Sequence, residues 1–144
     1  ITESLMMKDE EWTRQLLGEL RGLGVSIAID DFGVGYSNLR RLSEFPVSRL
    51  KIDRSLVQDV EHLGRNVAIV TAMVSMARAL GLEVVAEGVE NFEQLLQLQE
   101  QKCHEVQGFL LARPMPGADT ALLLQRLATS TDSSRTMRLR TLAQ

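Results

Sequence analysis

Near the start of the chain, a helical pattern of hydrophobic residues is followed by a strand-like one. A stripe with spacings of three and four predicts an amphipathic helix over residues 8–21. The members of that stripe are Trp12, Leu16, Leu17, Leu20 and Leu23. Gly22 and Gly24 end the stripe, and the apolar run over residues 25–29 predicts a strand that is covered on both faces.

The same alternation continues to residue 127. Apolar runs predict further strands over residues 49–52, 83–86 and 105–110. Helical spacing and end signals predict helices over residues 37–43, 54–60, 66–80, 92–100 and 118–127. Four strands separated by helices predict an α/β fold in which parallel strands are joined by right-handed crossovers.

Composition and charge narrow the function classes. With 144 residues and 44% hydrophobic side chains, the chain has the length and apolar content of one globular domain. A net charge of −3 argues against the basic face that proteins binding nucleic-acid polymers carry. Charged residues interrupt every apolar run, which argues against a membrane-spanning helix. The single cysteine, Cys103, excludes an internal disulfide and is compatible with the reducing cytoplasm.

Polar side chains cluster at the carboxyl end of each predicted strand. In chain order these are Asp30, Asp31, Lys51, Asp53, Glu87, Glu90 and Gln107. Because parallel strands all end at one edge of a sheet, these side chains are expected to converge there. Oxygen ligands without histidine or thiolate suit Mg²⁺, Mn²⁺ or Ca²⁺. Asp30 and Asp31, on different sides of the strand end, suit two ions or one ion and its water.

Two alternatives stay open from the residues alone. Asp30 or Asp31, placed between a strand and a helix, also suits a plain helix cap. Lys51 among carboxylates suits either contact with a water or phosphate, or a structural ion pair with Asp30 or Glu87. Only the spatial arrangement separates these roles.

Six short segments resemble, in order, the motifs of the EAL-domain family of cyclic di-GMP phosphodiesterases. They are Ile1-Thr-Glu-Ser4, Asp30-Asp-Phe-Gly-Val-Gly-Tyr-Ser37, Lys51-Ile-Asp-Arg-Ser55, Ala86-Glu-Gly-Val-Glu90, Gln107-Gly-Phe109 and Arg113-Pro-Met-Pro116. One such segment is weak evidence, whereas six in register are specific. The resemblance covers residues 1–127 and implies a TIM-like (β/α) barrel, of which this chain supplies the second half with four βα units.

The resemblance also implies an activity and the residues that perform it. The intact domain is expected to hydrolyse cyclic di-GMP to linear pGpG with Mg²⁺ or Mn²⁺, and Asp30 and Asp31 match metal ligands. Lys51 matches the family lysine that orients the attacking water. Glu87 matches the acid that supports the metal-water site, and Gln107 matches an amide near that water.

Other matched positions concern the glycine-rich loop after Asp31, which the family links to dimer contacts. Glu3 and Glu90 match the acids that anchor this loop. Val34 stands where the family usually has threonine, which is expected to weaken the anchoring and the hold on a second metal. The resemblance therefore implies a homodimer, with a less firmly held loop.

The substrate side of the site is matched by Phe109, Pro114 and Met115, which are expected to shape a guanine pocket. The Glu-Ala-Leu motif itself is absent, as are a metal-binding asparagine and a glutamate expected before Ile1. A full barrel of this kind needs about 250 residues. Three metal ligands are therefore expected upstream, and the 144-residue chain alone is expected to be catalytically silent.

The sequence is therefore interpreted as the C-terminal part of an EAL domain over residues 1–128, followed by a flexible tail or linker over residues 129–144. The parent is expected to be a cytoplasmic signalling protein of bacteria, whose other domains can carry a membrane anchor. A half barrel with open strand edges is expected to pair with itself or another chain. The alternative function is a degenerate domain that binds cyclic di-GMP without cutting it.

Overall fold

A computed structural model describes residues 1–2, 9–34, 42–58, 60 and 64–129, with only the backbone of 128 and 129. Its four named strands form one sheet in the order β1-β2-β3-β4, with every neighbouring pair parallel. The strands are β1 (Ala28–Phe32), β2 (Arg49–Ile52), β3 (Glu83–Glu87) and β4 (Glu105–Gln107). The predicted α/β fold with sequential parallel strands is confirmed.

Five helices of four residues or more accompany these strands in the described part of the chain. They are α1 (Glu10–Gly22), α2 (Arg54–Val57), α3 (Arg65–Ala79), α4 (Phe92–Glu100) and α5 (Gly117–Thr129). Each of them has a predicted counterpart whose ends differ by three residues at most. Most of the helix predicted over residues 37–43 lies outside the described residues. Among the helices described, none is both long and apolar enough to cross a membrane.

The strand β1 begins and ends three residues later than predicted. The prediction of a strand over residues 25–29 is wrong, because the pairing of β1 with β2 starts only at Ala28. Along the other side of β1, the Asp30 amide donates a hydrogen bond to Ile1 O at 2.7 Å. Backbone partners on both sides therefore carry the strand through Asp30 and Asp31 instead of ending it before them.

The helix α1 buries a narrower stripe than its hydrophobic pattern predicts. Thr13 and Leu17 are buried, and Leu20 packs against the core from its edge. Trp12 is 62% exposed and Leu23 is 81% exposed, so these two residues lie outside the core. Leu23 falls beyond the last helical turn as the C-cap residue, which removes it from the buried stripe.

The two faces of the sheet carry different side chains, because successive residues of a strand point to opposite faces. One face is apolar and joins the hydrophobic core through Ile29, Leu50, Ile52, Val84 and Ala86. The other face, called the charged face below, carries Asp30, Arg49, Lys51, Glu83, Glu87, Glu105 and Gln107. Its centre is Val85, which is 1% exposed. The charged face thus has ionic side chains at both ends and a buried apolar residue at its centre.

Candidate metal and catalytic site

A β-bulge in β1 shapes the carboxyl end of the charged face. Ile29 pairs with Leu50 and Phe32 pairs with Ile52, so two aspartates on β1 stand opposite the single Lys51 on β2. Asp31 adopts φ 54°, a left-handed conformation that aspartate tolerates better than most residues. The bulge therefore breaks the regular alternation of side chains at this pair.

Three carboxylates meet at this bulge. One oxygen each from Asp30, Asp31 and Glu87 lies within 4.8 Å of the others, and among the described residues no second group of this kind was found. The prediction that Asp30 and Asp31 serve different sides of the strand end is wrong, since the bulge brings oxygens of both to one place. Both residues lie within β1 rather than in a turn that opens a helix.

Lys51 connects two of the three carboxylates. Its Nζ lies 2.8 Å from Asp30 Oδ1 and 2.6 Å from Glu87 Oε1, and its side chain is 11% exposed. Burial of the ammonium acts to lower the pKa of Lys51, but the hydrogen bonds and charges of the two carboxylates outweigh it and raise the pKa above 10.5. Lys51 is therefore a protonated donor at neutral pH. Lys51 forms ion pairs with Asp30 and Glu87 at once, and its contact with a water or phosphate stays a prediction.

The electrostatics of this group favour a cation. Three carboxylates face one ammonium, so negative charge is in excess in a partly buried site. Oxygen ligands held this close suit hard divalent ions such as Mg²⁺, Mn²⁺ and Ca²⁺. The donor set therefore fits the metal ions that the sequence predicts.

Gln107 enters the site from the neighbouring strand. It pairs in register with Glu87, and its carbonyl accepts a hydrogen bond from the Val89 amide at 3.0 Å. Gly108 follows, and a Cβ atom at Gly108 would overlap the Val89 backbone, so only glycine fits. The loop after β3 and the loop after β4 are thus in direct backbone contact beside Glu87.

Asp53 follows β2, the strand that contains Lys51, but it has a structural role. Its Oδ1 accepts a hydrogen bond from the Ser55 amide at 2.9 Å, which makes Asp53 the N-cap of α2. The hydrogen bond from the Ser55 side chain is the main reason why the pKa of Asp53 lies below its ordinary value of 3.8. The expectation that Asp53 joins the converging carboxylates is not met, since the metal-binding group lacks it.

The remaining predicted residues are spread around this centre. Glu90 has an exposed side chain, and its amide donates to Gln94 Oε1 at 2.8 Å. Phe109 is 48% exposed, with the Arg113 guanidinium 4.5 Å from its ring centroid. Pro114 is exposed. Met115 lines a groove together with residues of α5.

One predicted site residue, Glu3, lies outside the described residues. Residues 35–41 lie outside them as well, so the glycine-rich loop is described as far as Val34. Val34, the last described residue of that loop, is 66% exposed. The predicted anchoring of the loop by Glu3 and Glu90 therefore stays a prediction.

Sequence patterns missed two features of the site. The bulge at Asp30 and Asp31 depends on the strand partners of β1, which the sequence of β1 does not contain. Gln94 is 3% exposed and hydrogen-bonded to the loop after β3. Its position three residues after Asn91 is the signal that could have identified it, because that spacing is typical of a capping box.

Comparisons with known proteins identify relatives of this chain. The family model described as "EAL domain" matches residues 1–114. The cyclic di-GMP phosphodiesterase NbdA of Pseudomonas aeruginosa is 47% identical over 116 residues, which are 81% of this chain and 15% of that protein. The chain thus spans less than a fifth of the length of this curated relative.

Solved structures share the fold. The complex of the PaMucR phosphodiesterase with cyclic di-GMP matches with a TM-score of 0.79 and 45% identity, over 83% of this chain and 49% of that one. BlrP1 of Klebsiella pneumoniae, solved with manganese and cyclic di-GMP, matches with a TM-score of 0.72 and 41% identity, over 78% and 29%. BlrP1 has also been solved with calcium and cyclic di-GMP. The four-stranded sheet described above is therefore part of a TIM-like barrel.

Proposed function

Because the chain belongs to the EAL domain family, we propose that it supplies the C-terminal part of a site that hydrolyses cyclic di-GMP to linear pGpG. One observation carries the proposal. Carboxylate oxygens of Asp30, Asp31 and Glu87 lie within 4.8 Å of one another, and the Lys51 ammonium bridges two of these residues. Support comes from relatives that are themselves named cyclic di-GMP phosphodiesterases.

The three carboxylates are proposed to hold Mg²⁺ or Mn²⁺. Asp30 and Asp31 bind from β1, and Glu87 supports the site from the end of β3. Divalent cations bound there would polarise the phosphodiester and lower the pKa of the attacking water. The chain corresponds to about half of the matched PaMucR structure, so we propose that the other half of the domain completes the ligand set.

Lys51 is proposed to orient the water and to stabilise developing negative charge. Its ammonium group is hydrogen-bonded to Asp30 and Glu87, so it donates hydrogen bonds rather than accepting a proton. Glu87 holds the ammonium from one side at 2.6 Å, while Gln107 lies beside Glu87 on β4 as the amide near the water. These three residues form the catalytic part of the proposal.

The guanine pocket is proposed at Phe109, Pro114 and Met115. Arg113 makes a cation–π contact with the Phe109 ring, and about half of the Phe109 surface is exposed to solvent. An exposed aromatic face of this kind suits stacking by a purine base. Glu3 and Glu90 are proposed to anchor the loop that contains Val34.

The wider context is also part of the proposal. We assign residues 1–128 to the EAL domain and residues 129–144 to a tail or linker. The parent protein is proposed to act in the bacterial cytoplasm, with homodimers or other self-association through the domain. Each of these assignments follows the family rather than a contact in this chain.

The test is turnover of cyclic di-GMP by the full-length parent protein with Mg²⁺ or Mn²⁺, with chromatography of the product. We expect linear pGpG. Asp30→Asn should lower turnover by more than about a hundredfold, because it removes a charged ligand at the reacting centre. Asp9→Asn is the matched control, since Asp9 caps α1 and asparagine caps equally well.

Two results would change the proposal. Near-normal turnover in Asp30→Asn would contradict the ligand role of Asp30. Tight binding of cyclic di-GMP without any turnover by the wild-type protein would favour the receptor alternative and direct attention to Val34 and to the rest of the domain.

A further inference from the structure

Gln94 is a buried polar residue that the proposed chemistry does not use. It is 3% exposed and lies in the first turn of α4. Its Oε1 accepts hydrogen bonds from the amides of Glu90 at 2.8 Å and Asn91 at 3.4 Å. Its Nε2 donates to the backbone carbonyl of Gln58 at 3.1 Å. The carboxamide therefore uses its oxygen and one of its two N–H groups, with donors on one side and an acceptor on the other.

These bonds join two connections that are 36 residues apart in sequence. Gln58 is the C-cap of α2, the helix that follows Lys51 and Ile52 of β2. Glu90 and Asn91 end the loop that starts at Glu87 of β3. One side chain thus links the segment after the Lys51 strand to the segment after the Glu87 strand.

The loop between Glu87 and Asn91 is closely packed on the helix α2. Gly88 has φ +73°, and a Cβ atom there would lie 2.5 Å from Arg54 Cβ at the start of α2. The loop backbone therefore packs directly on α2, and Gln94 fixes its far end to the same helix. A shift of α4 relative to α2 would therefore strain the loop, because Gly88 packs on α2 and Glu90 is hydrogen-bonded to Gln94 of α4.

The loop also transmits its position to β4. The Val89 amide donates to Gln107 O, and the Leu110 amide donates to Val89 O, both at 3.0 Å. A displaced loop would therefore displace the backbone that carries Gln107 as well as the one that carries Glu87.

We propose that Gln94 is a positioning residue, which sets the distance of Glu87 and Gln107 from Lys51 by fastening the loop after β3 to α2. This inference rests on the proposed function for its catalytic meaning. The capping of α4 alone would need only the acceptor oxygen of Gln94, whereas the fastening also needs its N–H donor. The two roles can therefore be separated by one substitution.

The deciding variant is Gln94→Glu, which keeps an acceptor for the α4 cap but turns a carboxylate oxygen toward Gln58 O. In the full-length parent protein, amide hydrogen exchange at Val89 and Leu110 should rise about tenfold, as expected for one lost buried hydrogen bond. The Kd for Mn²⁺, measured from the free-ion paramagnetic resonance signal, should rise by about the same factor. The added negative charge would by itself favour Mn²⁺, so weaker binding cannot come from charge alone.

Two controls complete the experiment. Gln99→Glu makes the same substitution at an exposed position of α4 and should change neither readout. Asn91→Ala removes the cap but leaves the donor of Gln94, so it should lower stability while keeping the Mn²⁺ affinity within twofold.

The possible failures are distinct. Unchanged exchange at Val89 and Leu110 in Gln94→Glu would overturn the fastening role. Faster exchange with unchanged Mn²⁺ binding would overturn the proposal that Gln94 positions the site. If the wild-type full-length protein binds no Mn²⁺, the metal centre of the proposed function is contradicted, and the exchange result alone then decides whether Gln94 holds the loop. Gln94→Met, which removes both hydrogen-bonding groups without adding charge, replaces Gln94→Glu if the latter does not fold.

Discussion

Both ends of the charged face pair one basic side chain with several carboxylates, but the two arrangements differ. At the carboxyl end, Lys51 bridges Asp30 and Glu87. At the amino end, two residues earlier on β2, Arg49 reaches across to the next two strands. Its guanidinium donates to Glu83 at 2.7 and 2.9 Å and lies 3.5 Å from Glu105.

Backbone geometry makes the difference between the two ends. The strands at the amino end keep a regular register, so Arg49 meets only the acids that β3 and β4 place opposite it. At the carboxyl end the bulge adds Asp31 as a further carboxylate, and a compact ammonium replaces the planar guanidinium. One cation thus meets two carboxylates at the amino end and three at the carboxyl end, which leaves more negative charge for a ligand at the carboxyl end.

The largest expected contrast comes from the same substitution at each end. In the full-length parent, Lys51→Met should lower turnover of cyclic di-GMP by more than about a hundredfold, because it removes a charged donor at the reacting centre. Arg49→Met should leave kcat within about threefold and cost about 1 kcal/mol of stability, since Glu83 is half exposed and solvent compensates for the lost pair. Turnover and thermal unfolding measured on both variants test the contrast.

Equal losses of turnover in the two variants would show that the charged face acts as one unit. Urea unfolding of Lys51→Met provides the control, because a global loss of structure would lower turnover without any role for Lys51 in chemistry.

Asp31 offers the next contrast, because its left-handed backbone has no counterpart in the regular strands of the amino end. Asp31→Val should be about 2 kcal/mol less stable than Asp31→Asn, since a β-branched residue is strained at φ 54° and asparagine is not. Both variants remove the same charge, so their difference isolates the backbone. Denaturation midpoints of the 144-residue chain measure it, and equal midpoints would refute the strain.

Local sequence predicted those parts of the fold whose partners lie nearby. The helix α4 has the predicted bounds over residues 92–100, and β2 has the predicted bounds over residues 49–52. The strand β1 was misplaced because its ends depend on Ile1 and on β2, which pair with it from distant parts of the chain.

The candidate site also has one part that the sequence predicts and one part that it does not. That Lys51 and Glu87 approach Asp30 follows from the rule that parallel strands end at one edge. The side on which Asp31 lies does not follow, because a bulge is a property of two strands and not of one. The catalytic roles come from the family resemblance, since a cluster of ionic groups alone also describes the amino end.

Asp53 tests whether every acid at the carboxyl end belongs to the site. Its folded pKa is lowered, so its cap stabilises the fold above the unfolded pKa and loses this effect as pH falls through the folded value. Asp53→Ala should cost about 1 kcal/mol at pH 6. The difference from wild type should close as pH falls from about 4 toward 2. Urea midpoints across this range measure it, and a pH-independent difference would contradict the cap.

Mn²⁺ affinity supplies the comparison with the site itself. Asp53→Ala should bind Mn²⁺ as the wild-type chain does, because Asp53 lies outside the group of Asp30, Asp31 and Glu87. Weaker binding would place Asp53 among the ligands and enlarge the site.

The smallest contrast between variants is expected in the labelling of Cys103, which reports on the amino end. Its thiol lies 3.6 Å from Val84 O and 3.3 Å from Glu105 O, between β3 and β4. Burial raises the pKa of Cys103 from 9.0 to about 11, so native labelling by a disulfide reagent should be about a hundredfold slower than in urea.

Opening of the β3–β4 edge should control that labelling rate. Arg49→Met releases the tie to Glu83 and Glu105 and should speed labelling about fivefold, the ratio that corresponds to ~1 kcal/mol. Lys51→Met should leave the rate unchanged, because Lys51 contacts neither β4 nor Cys103 through its ion pairs. If Lys51→Met speeds labelling as much as Arg49→Met does, the buried Val85 does not separate the two ends of the charged face. Both ends of the sheet then open together.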